Sequence, residues 1–332
     1  MGEHNIKKIW IAWERHRRTI ELNKVFSCRL FILESTLPRI IKHPILSLQT
    51  CKILHREKPK ILFVQNPSFV LTLIATLFKP IYKYKLIVDA HNAGLMPTKN
   101  FLRPLKILYK FIQRKADYTI VTNEGLAELV IGNRGKPYIL PDRIPVVDSS
   151  KNMELKGKAA VLYICTFGED EPYWEVIRTA EILGKSVYIY ITGDYKKVQK
   201  ITQSAPTNVI FTGYLPDEEY WSMLRSVDLT LDLTLRENCL VCGAYESISA
   251  ETPMVLSSTE ALKNYFYKGA IFSANNAIAL AGSIREALQK EDSLKEEVKE
   301  LKQELSFSWE ERARKILEYL KDDRGLDDSP MQ

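Results

Sequence analysis

The sequence predicts an α/β protein made of two doubly wound domains, and three observations carry that prediction. Apolar, β-branched runs alternate with helical stretches along the whole chain, which is the pattern of a parallel sheet with right-handed crossovers. Several of these runs are near-continuously apolar, as strands buried on both faces are. The pattern then breaks at the polar, Pro- and Lys-rich stretch Asp142–Lys158 and starts again.

Taken in order, the first half offers strands at Ile6–Trp13, Arg29–Leu33, Lys60–Asn66, Lys85–His91, Tyr118–Thr122 and Tyr138–Pro141. Helices are expected between them at Pro44–Arg56, Phe69–Phe78, Asn100–Lys115 and Glu124–Ile131, and Ala12–Arg18 reads as the first strand–helix loop. After the break come strands at Ala159–Thr166, Ser186–Thr192, Asn208–Phe211, Asp228–Leu233, Met254–Ser257 and Ile271–Ser273. Helices fall at Tyr173–Leu183, Asp217–Ser226, Cys242–Ala250 and Ala277–Gln289. A charged helical tail runs over Lys295–Leu320, where Ser308 with Glu311 three residues on reads as a capping box. The domains are therefore 1–150 and 151–307. Ligands of such sheets sit beyond the carboxyl ends of the strands, so chemistry is sought there.

Composition narrows the function classes. The 332 residues are 45% hydrophobic and 27% charged, which suits a globular two-domain protein. The longest apolar run, Phe69–Phe78, is ten residues, and a bilayer span needs about 20, so no transmembrane helix is expected. The N-terminus lacks the apolar core and cleavage pattern of a signal peptide. Five scattered cysteines point to a reducing cytoplasm. Cys239 and Cys242 form a lone CxxC without a second pair, so they read as small packing residues rather than zinc ligands. Walker, HExxH, Gly-x-Ser-x-Gly and Asp-x-Asp motifs are absent, and neither a metal nor an organic cofactor is expected.

Charge is unevenly spread. Residues 1–150 carry 25 Lys/Arg against 11 Asp/Glu, and residues 151–332 carry 22 against 30. The first half is thus expected to face an anionic partner. Neither a recognition helix nor an aromatic platform favours nucleic acid, which leaves an anionic membrane surface. Lys99, Arg103, Lys106, Lys110 and Arg114 share one helical face, and Phe101, Leu105, Leu108 and Ile112 share another. That pattern fits an interfacial helix or an ordinary surface helix packed on its sheet.

The densest chemical signal is Leu235–Ser258. It reads as a strand end, a loop with Arg236, Glu237 and Asn238, a helix holding Glu246 and a second strand, Pro253–Ser258. A carboxylate one turn into a helix, beside a polar loop at a strand's carboxyl end, can grip a ribose diol. The segment resembles the GT-B glycosyltransferases, in particular the retaining family 4 (group 1). That family has a Glu, seven residues, a second Glu and a short helix leading to a "GxPVVxS" strand. Here Glu246 is followed by Ser-Ile-Ser-Ala-Glu-Thr-Pro-Met-Val-Leu-Ser; Asn238 lies eight positions before it and Glu237 nine. Either Glu237 or Asn238 fills the first motif position.

The resemblance implies a GT-B fold, two Rossmann-like domains facing a central cleft, with the helix at about 308–322 crossing back onto the first. It also implies a donor site. Ala159–Gly168 resembles the opening strand and diphosphate loop, although Phe167–Pro172 is acidic and lacks the family's Arg and Lys. Phosphate neutralisation then passes to Arg236, to helix N-termini and to Lys196 or Lys197. Gly193 matches a strand-end glycine, and Phe211-Thr-Gly213-Tyr-Leu-Pro-Asp matches a segment in which Tyr214 and Leu215 would flank the base. His91, two residues after Asp89 at a strand end, resembles a family histidine near the sugar. The implied donor residues are Glu246, Gly168, Gly193, Gly213, Tyr214, Leu215 and Arg236; the implied catalytic residues are His91, Glu237, Asn238 and Arg236.

In the first half, Gln65-Asn66-Pro67 resembles a strand end of the β-mannosyltransferases of the dolichol pathway, which places Asn66 at the acceptor. Arg15, His16, Arg17 and Arg18 would meet an anionic acceptor group, or else form an exposed charge run. The implied activity is metal-independent, retaining transfer from a UDP- or GDP-sugar to a lipid-linked or polysaccharide-precursor acceptor, in the cytoplasm or peripherally on the membrane's inner face. Alternatives are a UDP-sugar epimerase-like enzyme and a non-catalytic GT-B subunit.

Overall fold

The computed structural model describes residues 6–66, 68–95, 103–146 and 153–321. The chain divides into two compact units, Met1–Arg143 with Ser308–Gln332, and Ile144–Phe307. Lys99 and Phe101, the side chains of Arg103 and Leu105, and positions 147–152 of the expected linker lie outside the described residues.

The first unit holds strands β1 (Lys8–Ala12), β2 (Arg29–Ile32), β3 (Ile61–Asn66), β4 (Lys85–Ala90), β5 (Tyr118–Val121) and β6 (Pro137–Ile139). They form one parallel sheet in the order β2-β1-β3-β4-β5-β6. Side chains alternate between its faces. Ile9 and Ile11 join the core beneath helices Arg39–Glu57 and Phe69–Tyr82. Trp10 points the other way and stacks on Phe63 at 5.0 Å, beneath helix Arg17–Phe26. Burying each such side chain fully contributes about 1.5–3 kcal/mol.

The second unit repeats the architecture with β7 (Ala159–Tyr163), β8 (Val187–Thr192), β9 (Val209–Gly213), β10 (Leu229–Asp232), β11 (Met254–Ser257) and β12 (Ala270–Ser273). Its parallel order is β12-β11-β10-β7-β8-β9. Helices Tyr173–Leu183, Asp217–Ser226, Cys242–Ala250 and Ala277–Gln289 stand where the sequence places them.

Four expectations are corrected. Arg17–Phe26 is a helix, so Arg17 and Arg18 leave the expected loop. Its buried stripe is Arg18, Thr19, Leu22 and Phe26, and its cap is a histidine, so two polar residues hide the apolar period. The next helix starts at Arg39 rather than Pro44, which sits inside it in the second turn; the hydrogen bond its missing N–H would have made to the Ile40 carbonyl is lost, on a stretch where Ile40 and Pro44 are exposed and water can solvate that carbonyl. Ser308 caps nothing, because Glu291–Lys321 is one helix. Its buried stripe stays in register across Ser308, from Leu294, Val298, Leu301 and Leu305 in the second unit's core to Trp309, Ala313, Ile316 and Leu320 in the first's. Cys242 is exposed rather than packed inside, and Cys239 is half-buried.

Candidate active site

A doubly wound sheet opens a crevice where its strand order reverses, because loops on the two sides of that point leave in opposite directions. In the second unit the reversal lies between β7 and β10, and in the first between β1 and β3. The segments singled out in the sequence lie at the carboxyl ends of these strands and of their neighbours β4, β8 and β9.

After β7, Thr166 and Gly168 turn their N–H groups onto one carboxylate oxygen of Glu171, at 2.9 and 2.7 Å. The Thr166 hydroxyl donates to both oxygens at 3.1 Å. Phe167 between them adopts a left-handed φ of 59°, the alternation that makes successive N–H groups converge as an anion-binding nest. Gly193 closes in from β8. Its φ is +91°, and a Cβ there would lie 2.2 Å from the Cys165 carbonyl oxygen. Gly193 thus lets two backbones touch and shapes the nest from beneath.

After β10, Arg236 makes a forked pair with Asp170, its Nε 3.0 Å from Oδ2 and its Nη2 3.1 Å from Oδ1. The Leu235 N–H donates to the Asp170 carbonyl at 2.7 Å, which ties the two loops together. Glu237 is exposed and Asn238 half-buried on the same loop. Glu246 lies on the following helix, where the Tyr220 hydroxyl donates to its Oε2 at 2.5 Å. Gly213, with φ +72°, ends β9; Tyr214 beyond it is 70% exposed, and Leu215 packs against the core.

Asp232, which lies outside every motif of the sequence, ends β10 and is buried. Burial pushes its carboxyl well above the usual range, the N–H groups of Gly243 and Ala244 pull it back, and Glu246 and Glu171 push it further up. Gly243 makes this reach possible, since a Cβ there would lie 2.5 Å from Asp232 Oδ2. Those N–H groups begin the Cys242–Ala250 helix, so the helix N-terminus expected to meet phosphate already serves Asp232. The available signal was a single acid closing the apolar run Leu-Thr-Leu-Asp. Tyr220 had none, because it reaches Glu246 from a separate helix.

In the first unit, Arg18 is fully engaged. Its guanidinium donates to Asp89 at 2.9 Å, Asp142 at 2.5 Å and the Leu140 carbonyl at 2.8 Å. Burial would favour losing its proton, but Asp89 and Asp142 outweigh this and hold the cation. The expectation that Arg18 neutralises a phosphate is therefore corrected: it is buried, and each of its three guanidinium nitrogens already donates inside the fold. Arg15 and Arg17 are exposed, and His16 caps its helix by accepting from the Arg18 N–H at 3.3 Å.

His91 follows β4 with its ring edge-on to His16, centroids 4.5 Å apart, and its Nε2 3.9 Å from Asp89. Burial drives its pKa below the ordinary value, while Asp89 partly opposes that. Asn66 donates to the Gly94 carbonyl at 3.1 Å. Its Oδ1, both polar atoms of Gln65, Asp89 Oδ2 and His91 Nε2 are buried without hydrogen-bond partners. Gln65 and Asp89 are register partners, so these groups share one patch at the sheet's carboxyl edge. Each unpartnered group is costly to bury, and together they offer donors and acceptors suited to sugar hydroxyls. Lys106 and Lys110 are exposed on their helix, whereas Ile112 is buried in the fold, so that part of the apolar face packs inward. Among the described residues no group of three His, Cys, Asp or Glu side chains is placed to hold a metal ion.

Residues 148–305 match the family model for glycosyl transferases group 1. The protein is a GT-B glycosyltransferase. The glycosyltransferase shares its fold with sucrose-phosphate synthase from Thermosynechococcus elongatus at TM-score 0.75 and 14% identity, over 94% of this chain and 98% of that one. Anabaena HepE, solved with UDP and glucose, superposes at TM-score 0.71 and 11% identity, over 96% and 100%. A Listeria monocytogenes protein described as a UDP-N-acetylglucosamine 2-epimerase does so at TM-score 0.64 and 11% identity, over 97% and 99%. No curated protein matches the sequence.

Proposed function

We propose that the glycosyltransferase moves a sugar from a UDP- or GDP-sugar to a lipid-linked or polysaccharide-precursor acceptor, with retention and without a metal ion. The observation that carries this reading is Glu246, oriented by Tyr220, inside the segment that matches the family model. A fixed carboxylate at that edge suits the paired hydroxyls of a ribose. Arg236 would stabilise charge developing on the leaving diphosphate, and Tyr214 with Leu215 would flank the base. Glu237 or Asn238 would hold sugar hydroxyls. His91, kept neutral by burial, would bond sugar or acceptor hydroxyls, and Asn66 with Arg15, His16 and Arg17 would serve the acceptor. With retention the leaving phosphate can take the acceptor proton, so no dedicated base is needed. HepE, bound to UDP and glucose, supports a nucleotide-sugar donor.

The test is thermal stabilisation by UDP, GDP and their sugars in the presence of a chelator. One nucleotide should raise the melting temperature of the wild type, and Glu246→Ala should abolish that shift. Silence from every nucleotide would sink the donor site. The Listeria neighbour favours a second reading, epimerisation; conversion of a UDP-sugar to its epimer without acceptor would replace transfer by that reaction.

An anionic membrane is the proposed partner of the first unit. Helices Arg39–Glu57, Phe69–Tyr82 and Arg103–Lys115 pack side by side and together contain ten Lys/Arg and one acid, the buried Glu57. Ile40 is 88% exposed, with Ile41, Leu48, Ile81 and Ile107 also exposed on these helices. Exposed aliphatics among cations suit an interfacial contact. No helix among the described residues is long and apolar enough to cross a bilayer. Sedimentation with phosphatidylserine vesicles, but not with phosphatidylcholine alone, is the expected result, and Ile40→Asp should weaken it.

A further inference from the structure

The acidic turn after β7 does more than depart from the family pattern. Both groups in the second unit best suited to a diphosphate are already held by its own carboxylates. Glu171 takes the Thr166 and Gly168 N–H groups and the Thr166 hydroxyl. Asp170, one residue earlier, takes the Arg236 fork through its side chain and the Leu235 N–H through its carbonyl. These loops flank the β7/β10 reversal point, where a doubly wound sheet receives its ligand.

We propose that Gly168–Pro172 is a cis-acting gate on the diphosphate subsite, in which Glu171 and Asp170 occupy the nest and Arg236 until a nucleotide diphosphate displaces them. The proposal rests on the donor reading above and adds what limits donor affinity. A carboxylate and a phosphate oxygen compete for the same donors. A diphosphate entering beside an unmoved Glu171 or Asp170 would also meet like charge, which is strongly unfavourable in a partly desolvated site. The gate is displaceable because its polar contacts are near water: Arg236 and Asp170 side chains are 49% and 30% exposed. Displacement would free an arginine and two backbone donors together, so donor capture and site assembly become one event.

The measurement is calorimetric titration of UDP and GDP into wild type, Glu171→Gln, Asp170→Asn and the double variant, with ligand-free melting as the fold control. Glutamine keeps an acceptor for the nest but removes the charge, and asparagine releases Arg236. Nucleoside diphosphate should bind each single variant roughly tenfold more tightly than wild type, and the double variant more tightly still. Nucleosides, which carry no phosphate, should show no such gain. Binding by folded variants that is unchanged or weaker than wild type overturns the gate and leaves the donor reading standing. No binding by any of the four proteins overturns both.

Discussion

Each unit sets an arginine against an aspartate at the carboxyl edge of its sheet, and the two pairs do opposite things. Arg18 and Asp89 are 2% and 0% exposed, and Asp142 and the Leu140 carbonyl complete the guanidinium's partners. Arg236 and Asp170 are 49% and 30% exposed. In the first unit the arginine pins β4 and the chain after β6 to helix Arg17–Phe26, and a patch of unpartnered polar atoms is held beside it. In the second the same chemistry sits half-exposed beside the β7/β10 reversal point, where water can compete for it and where the proposed donor's diphosphate would. Residue type therefore does not distinguish an ion pair fixed inside the fold from one that solvent can reach; burial and the number of fixed partners do.

The largest expected effect tests the buried pair. Arg18→Ala leaves Asp89 and Asp142 without their cation, and breaking a buried pair in this way costs about 3–5 kcal/mol. Chemical denaturation should show a loss of that size. A loss below about 1 kcal/mol would mean that the pair is solvated in solution and that the contrast between the units fails.

How much of this was legible in the sequence follows from the same distinction. Buried strands announce themselves through apolar composition, and the second unit's amphipathic helices through their period, so the sheets and helices such as Tyr173–Leu183 were readable. Helix Arg17–Phe26 was not, because its inward face includes Arg18 and Thr19, whose burial depends on Asp89 and Asp142, residues 71 and 124 positions away. Glu246 was visible through local spacing. Its partner Tyr220 and the buried Asp232 carry no such mark, because their surroundings arise from tertiary contacts. Similarly, the acidity of Glu169–Glu171 was plain, but that Glu171 turns back onto the Thr166 and Gly168 N–H groups is a property of the folded loop.

The second unit's site gives the next two effects. Glu246→Ala should lower kcat/KM for the nucleotide sugar by about 100-fold, the scale of a lost charge-assisted grip on substrate. Tyr220→Phe keeps the ring and removes the hydroxyl that orients Glu246, so a smaller loss of about 5–10-fold is expected, chiefly in KM. If the two variants were equally impaired, Tyr220 would have to touch the substrate itself.

Arg236→Ala is the counterpart of Arg18→Ala and should barely alter stability. An exposed pair contributes about 0–1 kcal/mol, and chemical denaturation should place the variant within that range of wild type. Its nucleoside diphosphate affinity should nevertheless fall, and binding by the wild type should weaken with added salt more steeply than binding by the variant. A large stability loss would assign Arg236 the structural role of Arg18.

The smallest effects are opposed titrations, one in each unit. His91 has a folded pKa below its ordinary value because it is buried. The unfolded chain therefore takes up a proton more readily, so the stability His91 contributes is present above its unfolded value of about 6.5 and declines as pH falls through it. Asp232 has a folded pKa raised well above the ordinary carboxylate value, also chiefly by burial. Its contribution is full below the unfolded value of about 3.9 and is lost as pH rises toward and through the folded value. Acidification from pH 7 to 5.5 should thus weaken the fold through His91 and strengthen it through Asp232. Melting curves across that interval separate the two: His91→Asn should lose less stability on acidification than wild type, whereas Asp232→Asn should lose more and be at least as stable as wild type at pH 7. Parallel curves for all three proteins would mean that neither group is as desolvated in solution as its place at the sheet's edge requires.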